Sequence, residues 1–228
     1  DYRSSRGLGD VYKRQTVSIG LSSDEKYYFI STSDHNTSEQ YYFSVNEEKP
    51  KPKLIQKREK GIIYSVNSWN DSFYMHTNKD AEDFKIEKTK DINFKKWDTY
   101  VPAKDETLIG GLTFLKNWEI RSEVTNALGK ILVKNLKDNK EEELIFSDEE
   151  VFDGGVSLVQ KDKNTDLIHI SYSSPKTQSR VYLYNLRTKE KKLVKEQIIP
   201  SGHNSNDYVV ERLECLSLIH ISEPTRRP

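Results

Sequence analysis

Ser22 follows Gly20 and Leu21, the nearest this sequence comes to the G-x-S-x-G turn that presents a nucleophilic serine. No glycine follows at the required position, so Ser22 reads as a turn residue, and none of the ten glycines opens a complete motif. Gly110-Gly111 and Gly154-Gly155 stand at strand starts with no helix behind them, which excludes a phosphate loop and favours a bulge or close approach. His35, His76, His169 and His203 are scattered without metal-ligand spacing and read as structural. The acidic runs Glu141 to Glu143 and Asp148 to Glu150 read as solvent-facing charge at turns. No acid, base and nucleophile come together. The expectation is therefore no catalytic residue, no metal ligand and no cofactor-binding residue within the chain.

The elements that would carry these residues are short strands. In the run from Leu167 to Lys195, Ile168, Ile170 and Tyr172 alternate with Leu167, His169 and Ser171, the two-residue period of an extended strand. Polar residues around Pro175 break the ladder, Val181 to Tyr184 form a second run, and Leu193-Val194 among lysines form a third, with edge-strand character. The first strand recurs near Tyr28, Phe73, Trp118 and Leu167, at offsets of 45, 45 and 49 residues. The second recurs from Tyr41, Asp83, Lys130 and Arg180, and the third from Lys53, Asp98, Glu143 and Lys192. A further strand precedes each unit, from Val17, Ile62, Leu108 and Gly155, and runs into a tight polar turn.

Four strands per unit, a period near 45 residues and no convincing helix predict an all-β fold, a partial β-propeller of about four four-stranded blades. A β-sandwich has equally short strands but no reason to repeat in register four times. A β-solenoid has shorter rungs. In a propeller the strand before each tight turn is innermost and the Leu193 type outermost. An incomplete ring would leave two apolar blade faces unpaired, which predicts a marginal folder.

Residues 1–15 and 214–228 show no sustained period and look like translated adapter sequence, with native disordered tails as the alternative. The second LIHIS string, at Leu218 to Ser222, falls in this flank and reads as coincidence. The propeller is therefore expected over 16–213. Cys215, the single cysteine, lies outside that span, so neither a disulfide framework nor a cysteine zinc site is expected. Lys plus Arg and Asp plus Glu both number 36, giving no net basic field for nucleic acid. No apolar stretch is long enough to span a membrane as a helix. Hydrophobic residues are only 34%, but 13 tyrosines supply aromatic surface for packing blade against blade.

The run FYMHTNKDAEDFKIEKTK from Phe73 resembles the propeller of the oligopeptidase B group, within the prolyl oligopeptidase family of serine peptidases. WEIRSEVTNALGKILVKNL from Trp118, the run from Leu167 and KEQIIPSGHNSNDYVVERL from Lys195 fit the same family in the same order. Thr77 to Ala81 and Tyr208, Glu211, Arg212 and Leu213 carry the most specific likeness. The resemblance implies a seven-bladed propeller capping an α/β-hydrolase domain whose serine, aspartate and histidine lie beyond Leu213. It implies that this chain is part of the cap, inactive alone, with the hydrolase domain as its intramolecular partner. The parent is implied to be a cytoplasmic endopeptidase cleaving short peptides after Lys or Arg, needing no cofactor, with the cap restricting access. Cleavage after proline and a non-catalytic binding propeller stay open as alternatives.

Overall fold

The computed structural model describes residues 16–145, 149, 151–159 and 163–213. Both flanks set aside above lie outside the described residues, as do Asp148 and Glu150. The described chain forms four four-stranded antiparallel sheets, each in sequence order. Blade 1 contains β1 (Thr16–Leu21), β2 (Tyr27–Ser33), β3 (Ser38–Ser44) and β4 (Lys53–Gln56). Blade 2 contains β5 (Tyr64–Trp69), β6 (Ser72–Thr77), β7 (Lys85–Thr89) and β8 (Asp98–Val101). Blade 3 contains β9 (Thr107–Leu115), β10 (Trp118–Thr125), β11 (Leu128–Asn135) and β12 (Glu141–Glu143). Blade 4 contains β13 (Asp153–Leu158), β14 (Leu167–Ser173), β15 (Arg180–Asn185) and β16 (Lys191–Glu196). Among the described residues the one helical element is a 3-10 turn at Ser205–Asp207. The partial β-propeller read from the repeats is the fold.

Short polar turns give each blade its meander. Asn70 and Asp71 join β5 to β6 with φ of 49° and 56°, the paired left-handed conformation of a two-residue hairpin whose twist matches its strands. Asn and Asp tolerate that region better than other side chains. Third and fourth strands slip register at Gln40/Tyr41, Ile86/Glu87 and Val181/Tyr182. These bulges bend the outer strands of blades 1, 2 and 4, a repeated feature that the alternation of residue types did not reveal.

Six strand starts differ from expectation by two or more residues. β3 starts at Ser38 rather than Tyr41, β5 at Tyr64 rather than Ile62, β7 at Lys85 rather than Asp83 and β11 at Leu128 rather than Lys130. β12 starts at Glu141 rather than Glu143, and β13 at Asp153 rather than Gly155. The alignment of the repeats also shifts by one residue. β6 and β10 begin at Ser72 and Trp118, so Phe73 is equivalent to Glu119, not Trp118. Because faces alternate, a one-residue slip inverts a strand. Trp118 accordingly packs toward blade 4, whereas Glu119 reaches blade 2.

Three cores lie between blades. Phe29, Tyr42, Tyr64, Val66, Phe73, Met75 and Phe94 fill the seam of blades 1 and 2. Trp69, Tyr74, Ile86, Val101, Ile109 and Phe114 fill that of blades 2 and 3. Leu115, Trp118, Ile120, Val133, Ile168, Ile170 and Tyr184 fill that of blades 3 and 4. The two outward faces are unlike. Cross-strand pairing places Val17, Ile19, Leu21, Tyr28, Tyr41, Phe43 and Leu54 on one broad apolar face of blade 1. The outward face of blade 4 instead mixes Ser157, His169 and Ser171 with Val181 and Leu183. The expected pair of apolar faces is thus one apolar and one largely polar face.

Candidate functional site

Antiparallel order places the β1–β2, β5–β6, β9–β10 and β13–β14 turns at one end of the sheets. The end of β16, where the chain leaves, lies at the other. The segment after β16 packs at that exit end: the His203 ring bonds the Lys176 carbonyl at 2.8 Å, and Arg212 donates to the Asn126 carbonyl at 2.9 Å. At the opposite, distal end, turns of all four blades line one depression of about 410 Å³: Ser23 to Lys26, Trp69 to Asp71, Lys116, and Lys163 with Asn164. Four turns can share one depression only if their strands are axial. β1, β5, β9 and β13 are therefore innermost, while β16 is exposed along its whole length.

The sequence-predicted candidates are held apart. Ser22 is a buried turn residue: its Oγ donates to Asp24 Oδ1 at 2.8 Å and accepts from the Lys26 and Tyr27 amides at 3.1 and 3.0 Å. His35 is exposed, His169 lies on the outward face of blade 4 and His203 stacks on Tyr208. His76 is half-buried between blades 2 and 3, where it stacks on Phe84 and its Nε2 lies 2.7 Å from the Ile109 carbonyl. That contact requires the proton on Nε2. Burial holds its pKa below the ordinary value. Gly110 meets a close approach, since a Cβ there would lie 2.3 Å from Ser122 Oγ, beside the β9–β10 bulge. No group of three or more His, Cys, Asp or Glu among the described residues is placed to hold a metal.

The acidic run Glu141 to Glu143 is not simply solvated charge. Glu141 takes both terminal nitrogens of Arg121, at 2.5 and 2.8 Å, and Arg121 is only 5% exposed. Arg121 Nε also donates to Glu123 at 2.9 Å, and Lys104 closes on both oxygens of Glu123 at 2.7 and 2.8 Å. Burial alone would raise the Glu123 pKa, but Lys104 and Arg121 hold it below the usual carboxylate value. Deeper in the seam, Glu119 is 1% exposed and accepts from the Tyr100 hydroxyl at 2.6 Å, which in turn accepts from Lys134 at 2.9 Å. Its other oxygen has no partner. Burial pushes the Glu119 carboxyl above its ordinary value against the pull of Tyr100, Lys134 and Arg121. The nearby Tyr74 phenol is pushed up to about 12, mainly by burial. The arrangement holds charge without offering a nucleophile or an open face to a substrate.

Residues 11–197 match the model of the prolyl oligopeptidase N-terminal β-propeller domain. The chain belongs to that family. Its propeller is 26% identical over 200 residues to dipeptidyl aminopeptidase BI of Pseudoxanthomonas mexicana, covering 86% of this chain and 27% of that protein. It is 24% identical over 210 residues to protease 2 of Moraxella lacunata, covering 87% of this chain and 28% of the relative. Among solved structures, closed oligopeptidase B of Trypanosoma brucei with covalently bound antipain superposes with a TM-score of 0.76 at 27% identity. That match covers 86% of this chain and 29% of the other. Oligopeptidase B of Leishmania major shares the fold with a TM-score of 0.76 at 15% identity, covering 87% and 29% of the two chains. The chain thus spans under a third of the length of these relatives, all of which are peptidases by name. No helix among the described residues is long and apolar enough to cross a membrane.

Two features of this prolyl oligopeptidase propeller escaped the sequence reading. One is the ion network in Trp118–Thr125, whose alternating Glu119, Arg121 and Glu123 are themselves a strand-face signal. The other is the distal depression, assembled from turns about 45 residues apart.

Proposed function

We propose that this propeller is part of the cap of an oligopeptidase B-like serine endopeptidase that cleaves short peptides after Lys or Arg. The observation that carries this reading is the superposition on closed oligopeptidase B at 27% identity through four successive blades. The cap spans residues 16–213 and supplies no catalytic, metal or cofactor residue. A separate hydrolase domain, packed at the exit end and reached through Tyr208 to Leu213, carries the serine, histidine and aspartate. There the serine attacks the peptide carbonyl, the histidine moves its proton to the leaving amine, and backbone donors hold the oxyanion. The ring of blades limits access to small or unfolded peptides, and parting from the hydrolase admits them. The chain alone is inactive, and the parent works in the cytoplasm.

The 26% identity to a dipeptidyl aminopeptidase favours a second reading, removal of dipeptides from the N-terminus, with the same cap and chemistry. One experiment separates the readings. The source reading frame is followed past Leu213, and the resulting protein is assayed on peptides with internal Lys or Arg, with internal Pro and with free N-terminal dipeptides. Cleavage after Lys or Arg supports the proposal. A frame that continues into further blades without a serine elbow would sink any peptidase reading.

A further inference from the structure

Glu119 is buried in the seam of blades 2 and 3, and its Oε1 has no hydrogen-bond partner. Its other oxygen accepts from the Tyr100 hydroxyl of blade 2 at 2.6 Å. Four cations lie in this part of the seam, each committed elsewhere. Lys134 donates to the Tyr100 oxygen at 2.9 Å and stands 4.7 Å from the centre of that ring. Lys88 lies over the Tyr74 and Tyr100 rings at 4.9 and 5.2 Å. Arg121 is held by Glu123 and Glu141, and Lys104 by Glu123. Among the described residues Glu119 forms no ion pair.

A buried carboxylate without a counter-charge is far more costly than the neutral acid, so this geometry favours a retained proton. Burial raises the Glu119 pKa, Glu141 adds to the rise, and Tyr100, Lys134 and Arg121 oppose it. The facing phenols do not give up protons in the same range, since burial pushes Tyr74 up to about 12 and Tyr100 higher still. The Glu119 to Tyr100 bond is also a tie from blade 3 to blade 2, so charge on Glu119 acts on the joint between them. A reporter stands close by. Phe114, the cross-strand neighbour of Glu119, stacks on Trp69 at 5.6 Å, and the Trp69 indole N–H is buried without an acceptor.

We propose that the seam of blades 2 and 3 is a proton-operated joint: Glu119 occupies the closed seam as the neutral acid, and passing its proton to solvent admits water and loosens blade 3 from blade 2. The groups that act on Glu119 are Tyr74 from β6, Lys88 from β7, Tyr100 from β8, Arg121 and Glu123 on its own strand, Lys134 from β11 and Glu141 from β12. His76, also in this seam, gains charge as pH falls and works in the opposite sense. The inference stands on the seam alone and does not rest on the peptidase reading.

The test is hydrogen exchange of the Trp69 indole N–H in the full chain, assigned with Trp69→Phe. Its rate is divided by that of the Trp118 indole N–H, which Asp166 holds at 2.8 Å in the next seam. The quotient cancels the direct catalysis of exchange by hydroxide. It should rise about tenfold per pH unit above the ordinary carboxylate value of 4.5 and level off where the closed seam gives up its proton. In Glu119→Gln, which cannot ionise, that rise should be absent. His76 acts on both chains alike, so the comparison isolates Glu119. Lys134→Met removes a cation that favours the ionised form, so its rise should run on to higher pH; this variant serves if Glu119→Gln does not fold. No rise in the parent chain, an equal rise in Glu119→Gln, or a plateau moved to lower pH in Lys134→Met overturns the proposal.

Discussion

The seam between blades 1 and 2 and the seam between blades 2 and 3 join equivalent faces by opposite means. In the first, strands approach closely enough for short side chains to bond backbone directly. Ser38 Oγ accepts from the Tyr64 amide at 2.6 Å, and Gln40 Oε1 from the Val66 amide at 2.7 Å, around an aromatic cluster in which Phe73 and Phe94 meet edge-on at 4.9 Å. In the second, the position equivalent to Phe73 is Glu119, and long polar side chains cross the gap: Glu119 and Lys134 meet Tyr100, and Lys104 reaches Glu123, which Arg121 holds from within blade 3. One seam excludes charge; the other is organised by it. The lesson is that blade stacking fixes geometry, not chemistry, and that a seam can be filled by either, with paired charges such as Arg121 and Glu123 held in place and the unpaired Glu119 carboxyl pushed up in pKa.

The contrast predicts how the two seams fail. Arg121→Met should be the most damaging change, since it leaves Glu123 and Glu141 facing each other without their shared cation. Breaking a buried pair in this way costs about 3–5 kcal/mol, which urea unfolding would read, and a loss as small as that of a surface substitution would mean the network is solvated. Gln40→Ala in the other seam leaves the Val66 amide without its acceptor, a loss of about 1–3 kcal/mol, measured the same way.

The dependence on pH should also divide the seams. Glu119 has a raised pKa in the folded chain, so its contribution is fully present below the ordinary value of 4.5 and is lost as pH rises through the folded value. His76 has a lowered pKa, so its contribution is present above 6.5 and is lost as pH falls through its folded value. Among the described residues, the blade 1–2 seam buries no carboxylate or imidazole, and its Tyr64 is raised by burial above 10. Glu119→Gln should therefore flatten the loss of stability on the alkaline side of the ordinary carboxylate value, while leaving the acid-side loss from His76 in place. Amide exchange in β6 and β10 across a pH series would show it. An unchanged pH profile in the variant would place the titration elsewhere. Least of all is expected from Asp71→Asn, which removes the exposed pair with Lys26 but keeps a residue that tolerates the left-handed turn. Its unfolding midpoint should match the parent chain within experimental scatter.

The alternation Ile168-Ile170-Tyr172 and the four tight turns were enough to reveal blades, because strand period and turn chemistry are local properties of a few consecutive residues. The family was legible for a related reason: runs such as Thr77 to Ala81 are contiguous in the chain. The same local reading put Phe73 in line with Trp118, one residue off, since nothing within a single strand says which face meets which neighbour. Only packing against the adjacent blade settled that, by burying Glu119 toward Tyr100 and turning Trp118 to Asp166. The distal mouth was further out of reach. Trp69, Lys116 and Lys163 are separated by some 47 residues each, and each is an ordinary turn residue on its own. They line one depression only because the sheets stack around one axis and bring their first turns together. Sequence determined the unit and its repetition; the closing of units on one another decided which charges are paired, which faces are dry and which turns meet at the axis.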